Sequence, residues 1–165
     1  MYNMPMHNRC VPLLLPILLL VPFGSAGCGA ALQSSEIKFT LHESPVLVKE
    51  TGAIIVAKRQ VGRALPDGKV VDSFKKPLAF LREDSIRIKG GIVVRIKEDS
   101  EGTVSLSKKA LEKANLKPVR YSVRKNGTMA STKNARGIPI KGAHTVEKRR
   151  LILLLLLLTE NEMWR

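Results

Sequence analysis

The sequence predicts a mainly β fold, a small antiparallel barrel or sandwich with one short helix at about 108–116. Three observations carry that prediction. Apolar and polar residues alternate with a period of two in several stretches between Glu36 and Val123, which is the pattern of strands with one face buried. Turn-forming residues punctuate those stretches. In one interval, after Ser107, the alternation gives way to a short helical pattern.

The first strand is read from Ile37, Phe39 and Leu41, which alternate with Lys38, Thr40 and His42. Val46-Leu47-Val48 and Ala53-Ile54-Ile55-Val56 are apolar runs separated by Lys49-Glu50-Thr51-Gly52, a hairpin connection. Leu65-Pro66-Asp67-Gly68 is a turn, because proline presets φ and glycine accepts a positive value. Pro77 to Leu81 adds a short strand. Ile86, Ile88, Ile92, Val94 and Ile96 interleave with Arg87, Lys89, Arg95 and Lys97 around Gly90-Gly91, as two strands or as one strand with a bulge. Ile37, Phe39, Leu41, Ile86, Ile88, Val94 and Ile96 are therefore expected to face the core together.

Asp99-Ser100-Glu101-Gly102 turns the chain, and Thr103 to Leu106 pairs back. Ser107 is positioned as the N-cap of a helix from Lys108 to Leu116. Pro118 stops that helix, Val119, Tyr121 and Val123 resume the alternation, and Asn126-Gly127 makes a tight turn. The β-rich domain is accordingly placed at 36–128. Residues 129–150 show no convincing periodicity and read as a basic loop or disordered segment. Residues 151–165 form a Leu-rich tail.

That tail runs from Leu151-Ile152 into six leucines, Leu153 to Leu158. Eight helical residues span about 12 Å, far short of a roughly 30 Å hydrocarbon core. It reads as an apolar helix packed on the domain or a partner, an interfacial segment, or a low-complexity end. Because it adds no strand to the pattern, its removal is expected to cost less than a charge at a core position such as Val94.

The net charge of +14 is uneven. Glu36 to Val104 holds 13 Lys/Arg and 10 Asp/Glu, a balance of +3, whereas Ser105 to Arg150 holds 13 Lys/Arg and 2 Glu, a balance of +11. Such asymmetry points to anionic partners or to a solvated basic face. The candidate polyanion-binding residues are Lys108, Lys109, Arg120, Arg124, Lys125, Lys148, Arg149 and Arg150. Zinc, nucleotide-binding and Gly-x-Ser-x-Gly hydrolase signatures are missing, and the acidic pairs sit beside turns, so a non-catalytic protein without metal or cofactor is expected.

The first residues read as a signal peptide, 1–27. Arg9 supplies charge, Val11 to Phe23 contains nine Leu, Ile or Val among thirteen residues, and Gly24 to Gly27 is small. Residues 28–35 follow as a tether. After cleavage Cys28 stands alone, which excludes an intramolecular disulfide or a CxxC motif. Ser25-Ala26-Gly27-Cys28 resembles the lipobox of bacterial lipoproteins, with Ser25 where leucine is usual. The resemblance implies diacylglycerol on the Cys28 sulfur, membrane attachment through that lipid, and residence in the cell envelope, at the outer membrane or cell surface. Ordinary cleavage nearby, giving a secreted or periplasmic protein, is the alternative.

Residues 93–127 also resemble the AbrB/MazE swapped-hairpin family of DNA-binding dimers. The matching features are Ile96 to Leu106 around an acidic turn, Lys108-Lys109-Ala110-Leu111, and Leu116-Lys117-Pro118, with Thr103 and Val119-Arg120 departing from the usual pattern. That resemblance implies phosphate contacts from Lys97, Lys108, Lys109, Arg120 and Arg124. Export favours an anionic lipid, a glycan or an envelope protein over nucleic acid. The leading expectation is a lipid-anchored envelope protein with a basic binding domain. A DNA-binding module and an envelope enzyme with an unrecognised site are the alternatives.

Overall fold

The computed structural model describes residues 36–131 and 134–164. The leader, Cys28 and the tether lie outside the described residues. Twelve strands follow one another as an antiparallel meander in which each pairs with its sequence neighbours. They are β1 (Ile37–Leu41), β2 (Ser44–Val48), β3 (Ala53–Val56), β4 (Arg59–Ala64), β5 (Lys69–Asp72), β6 (Pro77–Leu81), β7 (Ser85–Ile88) and β8 (Val93–Glu98). After β9 (Val104–Leu106) comes the short helix α1 (Lys108–Lys113), then β10 (Tyr121–Val123), β11 (Thr128–Ser131) and β12 (Asn134–Pro139). A second helix, α2, covers Val146–Glu160.

The sheet curls into a nearly closed barrel. Just beyond β12, the Lys141 N–H donates to the Lys38 carbonyl at 2.9 Å and the Lys38 N–H donates to the Lys141 carbonyl at 3.0 Å. Gly142 makes this seam possible, because it lies on the Glu36 carbonyl with φ +85° and a Cβ there would overlap that oxygen. Closure removes the exposed edges that an open sheet presents.

The alternation seen in the sequence sets the inward face. Ile37 stands opposite Val48 and Phe39 opposite Val46, all four buried. Ile86, Ile88 and Val94 are buried as expected, and Ile96 packs against the core half-buried. The expected turns form at Lys49–Gly52, Leu65–Gly68, Asp99–Gly102 and Arg124–Gly127. Gly90-Gly91 joins two strands. Two further turns carry no turn-residue signal. His42-Glu43 and Ala57-Lys58 each place two successive non-glycine residues at positive φ, the geometry of the two-residue turn that matches strand twist.

A twelve-stranded barrel has an interior wider than wall side chains fill by themselves. The leucine run fills it. Leu151 through Leu158 are each at most 1% exposed, as expected of a helix that is apolar on every side. Near the start of α2, Arg150 Nη2 donates to Glu98 Oε2 at the end of β8, 3.1 Å away. Near its end, Glu160 Oε1 lies 2.8 Å from His42 Nε2 in the β1–β2 turn. In a meander those two turns lie at opposite ends, so α2 threads the barrel from one mouth to the other. Its length of about 22 Å is enough to cross walls whose strands run three to six residues.

This architecture corrects three expectations. Residues 129–150 contain most of β11, all of β12 and the start of α2, where a basic loop was expected. The Leu-rich tail is the centre of the core, so its removal cannot be the mild change the strand pattern implied. Lys148 and Arg149 are buried, at 3% and 5% exposure, although a surface patch was expected of them. The reason is common to all three: strand and helix at 134–160 are stabilised by closing and filling the barrel, a long-range gain that local propensity does not carry.

Candidate anion-binding groove

Strand pairing is continuous along most of the barrel wall but, apart from the seam at Lys38 and Lys141, narrows sharply at one further place. β9 meets β10 through a single residue pair, Val104 with Val123, while β9 pairs with β8 and β10 with β11 over three residue pairs each. Beyond Val104 and Val123 the two strands diverge. α1 and the link after it, Ala114 to Arg120, occupy the chain between them, and Pro118 in that link cannot donate to a ladder.

The divergence leaves a groove of about 690 Å³ whose walls include Ser105, Lys108, Arg120, Tyr121, Ser122 and Arg124. Leu106, Pro118 and Val119 add apolar surface. No carboxylate is among the lining residues. Glu112 approaches one of the lining cations, its Oε1 lying 3.7 Å from Lys108 Nζ across one turn of α1. Lys108 and Glu112 are well exposed, so that pair is weak and easily exchanged for a ligand. Arg124 and Ser131 each have an interaction partner of their own.

Two guanidinium groups, an ammonium, a phenol and serine hydroxyls around one groove are a donor-rich set. Planar guanidinium donors match phosphate, sulfate and carboxylate oxygens in pairs. The apolar side of the groove suits an anionic ligand that also carries carbon surface.

Of the eight sequence-predicted polyanion residues, the structure gathers Lys108, Arg120 and Arg124 into this groove. Lys109 is exposed on α1 outside the lining. Lys125 is exposed in the β10–β11 turn, with its stem over Gly102 of the β8–β9 turn. Lys148, Arg149 and Arg150 are brought elsewhere, to the first turn of α2 inside the barrel mouth. There Thr145 Oγ1 caps the helix by accepting from the Lys148 N–H, and Arg149 Nη1 donates to the His144 carbonyl at 3.3 Å. Arg150 is committed to Glu98. Buried cations of this kind orient the helix and are costly to expose or leave unpaired.

Sequence reading did not find Ser105, Tyr121 and Ser122 as wall residues. The available signal was a hydroxyl at adjoining strand positions, Ser105 and Ser122, on either side of a proline-interrupted link. Elsewhere, Asp67 in the β4–β5 turn is held below the ordinary carboxylate range, first by the hydrogen bond from the Lys69 side chain and then by the Lys69 backbone N–H.

Among the described residues no group of three or more His, Cys, Asp or Glu could hold a metal ion. No helix among them is long and apolar enough to cross a membrane. No family model, no curated protein and no solved structure matches the chain.

Proposed function

We propose that this chain is an exported, lipid-anchored envelope protein whose barrel binds an anionic ligand in the β9–β10 groove without transforming it. The observation that carries the binding reading is the divergence of β9 from β10, which lines one groove with Lys108, Arg120 and Arg124 and with no carboxylate. The observation that carries export is the leader followed by Cys28, the sole cysteine beyond it. A binding role fits a rigid barrel whose core is filled by its own helix, leaving the wall groove as the place for a ligand.

The test uses sulfated glycan and duplex DNA as competing probes for the same protein. Groove binding predicts an affinity that falls with salt, since exposed charges are screened over roughly 8 Å at physiological ionic strength. Arg120→Glu with Arg124→Glu abolishes that binding, and the same reversals at Lys49 and Arg63, away from the groove, leave it intact. Preference for duplex DNA over glycan favours the DNA-binding alternative. Equal loss in both double variants refutes a localised site.

A further inference from the structure

The turn between β5 and β6 presents the most exposed large apolar side chain described, and it does so with unusual backbone support. Phe74 is 74% exposed. Its loop, Ser73-Phe74-Lys75-Lys76, is held from below by Asp72, which is itself buried at 5% exposure. One carboxylate oxygen, Asp72 Oδ1, accepts from the Phe74 N–H and from the Lys76 N–H, both at 2.8 Å. The backbone of Asp72 adds a bond from its N–H to the Lys76 carbonyl at 2.9 Å and accepts one from the Lys75 N–H at 3.1 Å. Lys75 sits at φ +64°, a conformation that a lysine adopts at some energetic cost. Four hydrogen bonds to one buried residue thus hold an aromatic ring out in water, with Lys75 and Lys76 following it in the same turn.

Single apolar residues on a surface are ordinary. Here the neighbouring groups give the ring a context. In the meander, the β3–β4, β5–β6 and β7–β8 turns lie at the same end of the barrel, and their tips carry Lys58, Lys75, Lys76 and Lys89. Acids at this end include Glu43 in the β1–β2 turn, the buried Asp72, Glu112 on α1 in the β9–β10 connection, and Glu160 and Glu162 after the core run. Glu160 is held by His42 and Glu162 pairs with Lys117.

We infer that this end of the barrel docks on an anionic lipid bilayer, with Phe74 entering the acyl boundary and Lys58, Lys75, Lys76 and Lys89 resting on the headgroups. An aromatic side chain flanked by lysines is the combination that interfacial binding uses, apolar burial supplemented by attraction to anionic lipid. Asp72 fixes the loop so that little conformational entropy is lost on docking. The inference is independent of the groove and of any lipid on Cys28.

The experiment places a reporter at the tip. Phe74→Trp in the full chain is mixed with vesicles of brominated phosphatidylcholine, with or without phosphatidylglycerol. The wild-type chain, whose sole tryptophan is Trp164, supplies the baseline, because the leader or an acyl group can bring either chain to a vesicle of any composition. The expected result is additional quenching at position 74 on phosphatidylglycerol vesicles and little on neutral ones. Lys75→Glu with Lys76→Glu in the Phe74→Trp chain weakens the quenching isotherm by at least roughly thirtyfold, two surface lysines' worth of attraction. Lys49→Glu with Lys97→Glu, at the opposite end of the barrel, leaves it unchanged. Emission at position 74 that matches the baseline, or quenching indifferent to headgroup charge, overturns the inference.

Discussion

Trp164 packs against the backbone of Gly62 in β4. A Cβ placed on Gly62 would stand 3.1 Å from Trp164 Cζ3 and would overlap the Val71 carbonyl oxygen of β5. The indole Nε1–H donates to Thr159 Oγ1 at 3.0 Å. The residues after α2 are therefore folded back onto the barrel wall, and a bare backbone at position 62 is what lets them approach.

Gly62→Ala is expected to destabilise the barrel by about 2 kcal/mol, since backbone and ring must both shift to admit one methyl group. Thermal unfolding followed by Trp164 fluorescence measures it, with the emission also reporting loss of the ring's contact. An unchanged midpoint would show that the β4–β5 pairing yields without cost.

Deletion of Leu151–Arg165 is expected to abolish cooperative unfolding, a larger effect than Val94→Asp. The milder substitution Leu154→Ala should cost about 3 kcal/mol, through lost transfer energy and the cavity left in a wall that cannot collapse inward. Calorimetry of the three variants orders them. A folded, cooperatively melting truncation would mean that the barrel stands without its helix.

Replacing Lys148, Arg149 and Arg150 together by glutamate is expected to prevent folding, because it would bury negative charge at the barrel mouth where Glu98 already sits. Glu98→Gln is the gentler probe. Arg150 is only 16% exposed at its side chain and the pair is partly screened, so a loss on the order of 1 kcal/mol is expected, reduced by added salt. Circular dichroism melts at low and high salt distinguish this from loss of ligand affinity with stability intact, which is the outcome a surface patch would give.

Cys28→Ala is expected to abolish fatty-acid labelling and to leave the precursor uncleaved or its product soluble. Metabolic labelling with palmitate and N-terminal analysis of the mature chain check both. A mature terminus at Met1 would remove export and lipid attachment together.

Much of the wall was legible in the order of residues because its causes are local. Ile37, Phe39 and Leu41 point inward because strand side chains alternate, and Pro66-Asp67-Gly68 turns because those residues accept the required dihedrals. The turns at His42-Glu43 and Ala57-Lys58 were silent because strand pairing on both sides imposes positive φ on residues that do not favour it alone. Lys108, Arg120 and Arg124 were legible as basic residues near one another in sequence, but not as the lining of one groove.

By itself the sequence determined a mainly β chain, several of its turn positions, the inward residues of its first and central strands, and the concentration of positive charge after Ser105. Only the tertiary structure decided that the strands close at Lys38 and Lys141, that β9 and β10 part beyond Val104 and Val123, and that Leu151–Leu158 run through the middle. Whether a run of leucines is a surface tail or a core depends on the cavity available to it, and that cavity exists only after twelve strands, distant in sequence from the helix, have curved around it.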